Sequence, residues 1–176
     1  LLFAAGKLFW MGVIDLYMLP KNLLVTADLL LHSLRLFPDD REFWDGDLIS
    51  ILIKRSPAYQ KIIADRQRNQ SKGSKTYDGE GPIGVTFPDH DLHTAIGSAD
   101  VYLDGTICKR NERYGITDIN VTVSDDYDFH WHKPSERPNE KAEVLWGNNA
   151  AYVSQYLFLI TKYHWRSLFT ETRWFN

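Results

Sequence analysis

The chain has 176 residues, 44% hydrophobic and 14% aromatic, which is enough for one good core or for a helical piece beside a smaller β piece. The formal charge of −3 gives no overall basic field, and this argues against nucleic acid as a partner. The lone Cys108 excludes an internal disulfide and leaves the redox compartment open.

The first residues, Leu1-Leu2-Phe3, lack a methionine, as expected of a piece of a longer protein. Residues 1–19 are apolar apart from Lys7 and Asp15, nearly long enough to cross a bilayer. Two charges make such a span costly, so a buried or half-buried helix ending at Pro20 is expected instead. A second helix follows over 20–37, with Leu23, Leu24, Ala27, Leu30, Leu31 and Leu34 on a broad stripe. Pro38-Asp39-Asp40 reads as a stop and restart, and 41–55 as a third amphipathic helix. Ser56-Pro57 has the form of an N-cap followed by proline at the first helical position, opening a fourth helix to about Arg68.

Residues 69–82 then turn to Ser, Lys, Gly and Asp. This composition break suggests three parts: a helical region at 1–70, a linker at 71–82 and a β-rich part at 83–176. Strands are expected at 83–87 and within 92–103. Asp104-Gly105 forms a tight-turn signal between two apolar-bearing strands. The return over 106–110, a second turn at 111–115 and a strand at 116–124 complete an antiparallel meander. A polar loop at 134–140, a helix at 148–161 and a strand at 162–175 end the chain. The fold class is therefore α+β: an N-terminal helical region, a curved antiparallel sheet or half-barrel, and a C-terminal helix and strand.

The chemistry concentrates at the end of the last meander strand. Ile119, Val121 and Val123 alternate with Asn120, Thr122 and Ser124, and Asp125, Asp126, Tyr127, Asp128, His130, His132 and Lys133 follow before Pro134. Like charges so close raise one another's pKa, so a metal, a basic partner or water must offset the crowding. If the strand continues to Pro134, His130 and His132 share a face at a spacing that suits two ligands of a zinc-like ion. Asp125 and Asp128 suit Mg²⁺ better, because that ion keeps waters and bridges phosphates through one or two carboxylates. The bland alternative is a solvated strand end on which Asp residues cap a turn and Tyr127 and Trp131 pack. Cys108, beside Lys109 and Arg110, has no histidine partner in sequence to make it a nucleophile. A second small cluster, Asp89, His90, Asp91 and His93, precedes the meander.

From Ala95 to Lys133 the chain resembles the activity domain of colicin M and its bacteriocin relatives. The matching features are Ile96-Gly97-Ser98-Ala99-Asp100-Val101 entering a strand, Asp104-Gly105, Gly115, and Asp125-x-Tyr127-Asp128-Phe129 after a strand. That family's motif is Asp, any residue, Tyr-Asp, then a histidine followed by a basic residue. Here His132-Lys133 lies closer to Asp128 than the pattern expects, with Lys in place of Arg, and His130 is an alternative. The resemblance implies a Mg²⁺-dependent phosphodiesterase acting on lipid II, cutting between the undecaprenyl chain and the pyrophosphate in the periplasm of a target bacterium. It implies Asp125, Tyr127, Asp128, His132 and Lys133 as catalytic residues, with Asp125 and Asp128 on the metal. His130 and Arg137 would bind substrate, and a cognate immunity protein would be the partner. Asp100, His93 and Arg137 are further candidates to complete the site. Two rival classes are a nuclease toxin using His130, His132 and Asp128 on a metal, and a non-enzymatic module whose helical half docks to a partner or membrane.

Overall fold

The computed structural model describes residues 2–68, 74–110, 113–136 and 142–175. It is α+β, with helices α1 Leu2–Val13, α2 Leu24–Ser33, α3 Leu48–Arg55, α4 Pro57–Arg68, α5 His90–Ala95 and α6 Ala142–Tyr156. Its five strands are β1 Arg41–Trp44, β2 Ser74–Thr86, β3 Ser98–Arg110, β4 Arg113–Tyr127 and β5 Tyr163–Phe175. They form one open sheet in the order β1-β5-β4-β3-β2. β2–β3 and β3–β4 are antiparallel, as the meander requires, and β1–β5 is parallel.

The chain divides into two compact units, each built from two separated segments. The first holds 1–40 and 126–164, and the second holds 41–125 and 165–176. A contiguous division at a linker over 71–82 is thus not what is found. Residues 74–82 of that expected linker belong to β2, while 71–73 lie outside the described residues. β2 lies at one edge of the sheet and its pairing with β3 shifts register twice, between Tyr77 and Ile83. An edge strand with bulges tolerates the Gly and Pro that read as a linker.

The core of the first unit gathers Trp10, Ile14 and Met18 from the first helical segment, Leu23, Ala27, Leu30 and Leu34 around α2, and Ala151 and Ile160. The helix read over 1–19 does not stop at Pro20. α1 passes into a π-helical turn at Ile14–Met18 and a 3₁₀ turn at Leu19–Lys21, which Asn22 closes in a left-handed conformation. Ile14 and Met18, at the two ends of the π-turn, are both buried in that core. No helix among the described residues is long and apolar enough to cross a membrane. In α1, Trp10 Nε1–H donates to Ser154 Oγ at 2.9 Å, and Gly6 leaves room for Leu159.

In the second unit Val101, Leu103, Ile107, Ile119, Val121, Val123 and Trp165 of the sheet are buried, as are Ile53, Tyr59 and Ile63 of α3 and α4, and Tyr59 meets Phe169 of β5 edge-on at 5.5 Å. The alternation read over 119–124 is the one observed. Ser56 caps α4 as its sequence indicates, with Tyr59 N–H donating to Ser56 Oγ at 3.2 Å.

Four expected elements differ. Residues 41–44 form a strand, not the start of a helix, because β5 offers backbone partners at Trp165–Leu168. The Asp45-Gly46-Asp47 turn then starts α3, with Trp44 N–H donating to Asp47 Oδ2 at 2.6 Å. Residues 90–95 are helical, since Asp89 caps α5 by accepting from Asp91 N–H, so β3 begins only at Ser98. Asp104-Gly105 is no turn: β3 runs straight through it, and a bulge there uses Gly105 at φ 146°. Finally, α6 begins six residues before the expected 148 and ends at Tyr156.

Candidate functional site

β4 ends at Tyr127, seven residues before Pro134, and Asp128 N–H turns back onto Asp126 O at 3.0 Å. Because the strand stops there, His130 and His132 lie on an irregular loop and not on one strand face. Alternation along β4 places Asp125 and Tyr127 toward one side and Asp126 toward the other. Asp125 is the last residue of its segment of the second unit, and the residues from Asp126 onward belong to the first.

Tyr127 is the anchor of this strand end. It is buried, with Phe129 edge-on at 5.1 Å and Tyr163 at 5.2 Å between ring centroids. Tyr163 in turn donates its hydroxyl to Leu29 O and meets the buried His32 ring at 4.6 Å. His32 Nε2 sits 2.8 Å from Asp39 O. Burial pushes the Tyr127 phenol well above the usual tyrosine range, and the Asp28 carboxylate adds to the rise. The hydroxyl therefore stays protonated at neutral pH and can serve as a hydrogen-bond donor.

A raised acid pKa in the folded state has a definite sign. The stability tied to the neutral phenol is intact below the unfolded value of about 10 and is lost as pH rises beyond it. Tyr127→Phe keeps the ring and removes the titration. Its melting temperature is expected to fall less steeply than the wild type's above about pH 10, as thermal melts across an alkaline series would show. Parallel curves would refute the assignment.

After Tyr127 the chain runs back along α6, and helix side chains bond its backbone. Gln155 Oε1 accepts from Phe129 N–H at 3.1 Å, and Asn148 Nδ2 donates to His130 O at 2.6 Å. Asn149 binds His132 twice: its Oδ1 accepts from His132 N–H at 2.9 Å and its Nδ2 donates to His132 O at 2.8 Å. Between them Trp131 meets Tyr152 edge-on at 6.3 Å. A loop carrying two histidines is thus held by one helix, through four hydrogen bonds to the backbone of Phe129, His130 and His132. His130 Nε2 lies 3.3 Å from Asp128 Oδ1, pairing the exposed imidazole with a half-buried carboxylate. Lys133 is exposed, and its backbone closes a turn with Glu136 through two hydrogen bonds.

The structure brings together Tyr127, Asp128 and His130, and orders His132 and Lys133 on the same loop. Arg137 lies outside the described residues. His93 and Asp100 belong to the second unit. His93 Nδ1 sits 3.2 Å from Phe87 O, and Asp100 stands across from Ser124, next to Asp125 in sequence. Among the described residues no three His, Cys, Asp or Glu side chains gather as a metal cluster. The His130–His132–Asp128 metal set expected for a nuclease is therefore not formed. Asp125 and Asp128 each carry hard oxygen donors, the donor type that Mg²⁺ takes.

Residues that sequence reasoning missed are Asn148, Asn149 and Gln155 on α6, and His164. His164 Nδ1 lies 2.9 Å from Asp126 Oδ1, and its backbone N–H donates to Asp40 Oδ1 at 3.0 Å. Asp126, the variable position of the Asp-x-Tyr-Asp motif, thus has an imidazole partner 38 residues away. Neighbouring amides at one end of an expected helix were the only available hint of the clamp.

No protein-family model matches the chain. No curated protein matches it in sequence. Among solved structures it is similar to PaeM, a colicin M-like bacteriocin produced by Pseudomonas aeruginosa, with 16% identity and a TM-score of 0.44. That superposition covers 86% of this chain and 50% of the other, so this chain spans about half the length of PaeM.

Proposed function

We propose that the chain is an antibacterial toxin domain that hydrolyses lipid II between the undecaprenyl chain and the pyrophosphate, in the periplasm of a target bacterium. The observation that supports it is the Asp125-x-Tyr127-Asp128 motif at a strand end, followed by a histidine–lysine pair on a loop pinned by α6. Asp128, with Asp125 three residues before it, supplies oxygen donors for Mg²⁺. When bound, the ion neutralises the charge of the pyrophosphate. His132 gives a proton to the departing prenyl oxygen, and Lys133 holds a phosphate oxygen. Tyr127 keeps a neutral hydroxyl donor at the strand end, while His130 and Arg137 contact the substrate. One water is consumed, and undecaprenol and a pyrophosphate-linked disaccharide peptide are released. A cognate immunity protein of the producing cell covers this site.

The test is to incubate the full chain with lipid II in detergent micelles and to resolve the lipid products. Undecaprenol should appear with Mg²⁺, vanish with EDTA and return when Mg²⁺ is restored in excess. Intact lipid II under all three conditions would overturn the reading. Degradation of plasmid DNA under the same conditions would favour a nuclease.

A further inference from the structure

We infer that His164, oriented by Asp126, is the base that takes a proton from the attacking water, an assignment that rests on the hydrolytic reading. Hydrolysis at phosphorus is helped by one group that gives a proton to the leaving oxygen and by another that accepts one from water. His132 has the first role in the proposed reaction, and no residue has yet been given the second. Of the six histidines, His90 and His93 belong to the second unit. His32 is buried, with Nε2 at 2.8 Å from Asp39 O. His130 turns Nε2 toward Asp128 Oδ1, the carboxylate assigned to the cation. His164 remains.

The geometry is that of an oriented base. Asp126 Oδ1 lies 2.9 Å from His164 Nδ1. A carboxylate only accepts hydrogen bonds, so Nδ1 carries the proton and Nε2 keeps its lone pair. The backbone under the ring is fixed as well, since His164 N–H donates to Asp40 Oδ1 at 3.0 Å. The imidazole is 43% exposed, so water can reach it. Exposed pairs of this kind add little to folding, whereas orienting an imidazole needs only the contact seen here.

Position fits the role. β4 and β5 are neighbours in the sheet, and Tyr163, next to His164, packs 5.2 Å from Tyr127. Asp128 N–H donates to Asp126 O at 3.0 Å, so Asp128 follows closely on the residue that orients His164. Asp126 points to the side of β4 opposite Asp125, which leaves it to the imidazole and not to the cation. The strand stops at Tyr127, so a phosphoryl group at its tip is open to both sides. Attacking and leaving oxygens lie roughly in line across phosphorus, and acid and base accordingly belong on different elements. Here they stand on the loop held by α6 and on β5. As the water oxygen bonds to phosphorus, its proton passes to His164 Nε2. The bond from phosphorus to the prenyl oxygen breaks, and that oxygen takes the His132 proton. Solvent then removes the proton from His164 and restores one to His132.

The test follows undecaprenol release by the full chain from micellar lipid II with Mg²⁺. His164→Ala and His164→Gln should each lower kcat by on the order of 10²–10⁴-fold, with KM and melting temperature almost unchanged. Added imidazole should restore part of the His164→Ala rate, which a merely structural role would not allow. Asp126→Ala should lose less, because the imidazole stays but is no longer oriented. Nitrogen-15 NMR of the full chain without lipid II reads the tautomer directly. The neutral His164 ring should carry its proton on Nδ1 in the wild type and lose that preference in Asp126→Ala. A wild-type ring protonated on Nε2 overturns the inference whatever the rate. So does full activity of both His164 variants, or a lost rate that imidazole does not rescue. A wild type that leaves lipid II intact overturns the hydrolytic reading and this step with it, so the two failures are told apart.

Discussion

Asp128→Ala is expected to slow lipid II cleavage by on the order of 10²–10⁴-fold with almost no change in melting temperature. The asymmetry follows from where the carboxylate sits. It terminates β4 at the first residue beyond the ladder, and the partner seen for it is the exposed His130 imidazole at 3.3 Å. An ion pair of that kind contributes about 1 kcal/mol or less to folding. The buried anchor is Tyr127, whose ring is untouched by the change. Asp128→Asn keeps the shape and removes the charge, so it should lose activity as Ala does if the carboxylate binds the cation. His130→Ala removes the pairing imidazole but leaves the carboxylate, and should cost far less. Product release measured for the three variants, with melting curves alongside, checks this. A fully active Asp128→Ala would remove Asp128 from the mechanism, and a large drop in melting temperature would assign it a structural role.

Asn149→Ala is expected to reduce the same rate by on the order of 10²-fold, although Asn149 need not touch the substrate. Its amide makes both backbone hydrogen bonds of His132, and alanine leaves an N–H and a C=O on a half-buried loop without them. The loss costs about 1–3 kcal/mol locally and lets the loop drift, and a shift of about 1 Å in a proton donor is enough for such a rate change. A double-mutant cycle provides the readout that a merely structural role would not move. If Asn149 acts by placing His132, Asn149→Ala should have little further effect in a His132→Ala background. Effects that multiply in full would show that the clamp serves some other residue. Asn148→Ala, which loses a bond to His130 O, is the natural comparison and distinguishes the two histidines.

How much of this was legible in the sequence depended on whether a feature is local. The alternation of Ile119, Val121 and Val123 needs only the period of a strand, and the Ser56-Pro57 start needs only its own backbone donors. Both are observed as read. Asp125, Tyr127 and Asp128 stand out in the sequence by residue type and spacing, which are local features too. Misreadings arose where long-range pairing decides. Arg41–Trp44 carries a helical pattern but becomes a strand because β5, more than 120 residues later, supplies its ladder. Asp104-Gly105 has the composition of a hairpin turn, yet β2 and β4 on either side extend β3 through it as a bulge.

For the candidate site the same division holds. Sequence alone determined an α+β chain and a strand that ends in a crowd of carboxylates and histidines, because charge density and periodicity are written in neighbouring residues. Tertiary structure decided that the strand stops at Tyr127, that α6 grips the histidine loop through Asn148, Asn149 and Gln155, and that Asp126 faces His164. Those partners lie 17–38 residues apart. A hydrogen bond between side chain and distant backbone leaves no periodic trace in a single sequence, so only the folded chain reveals which amide holds which histidine.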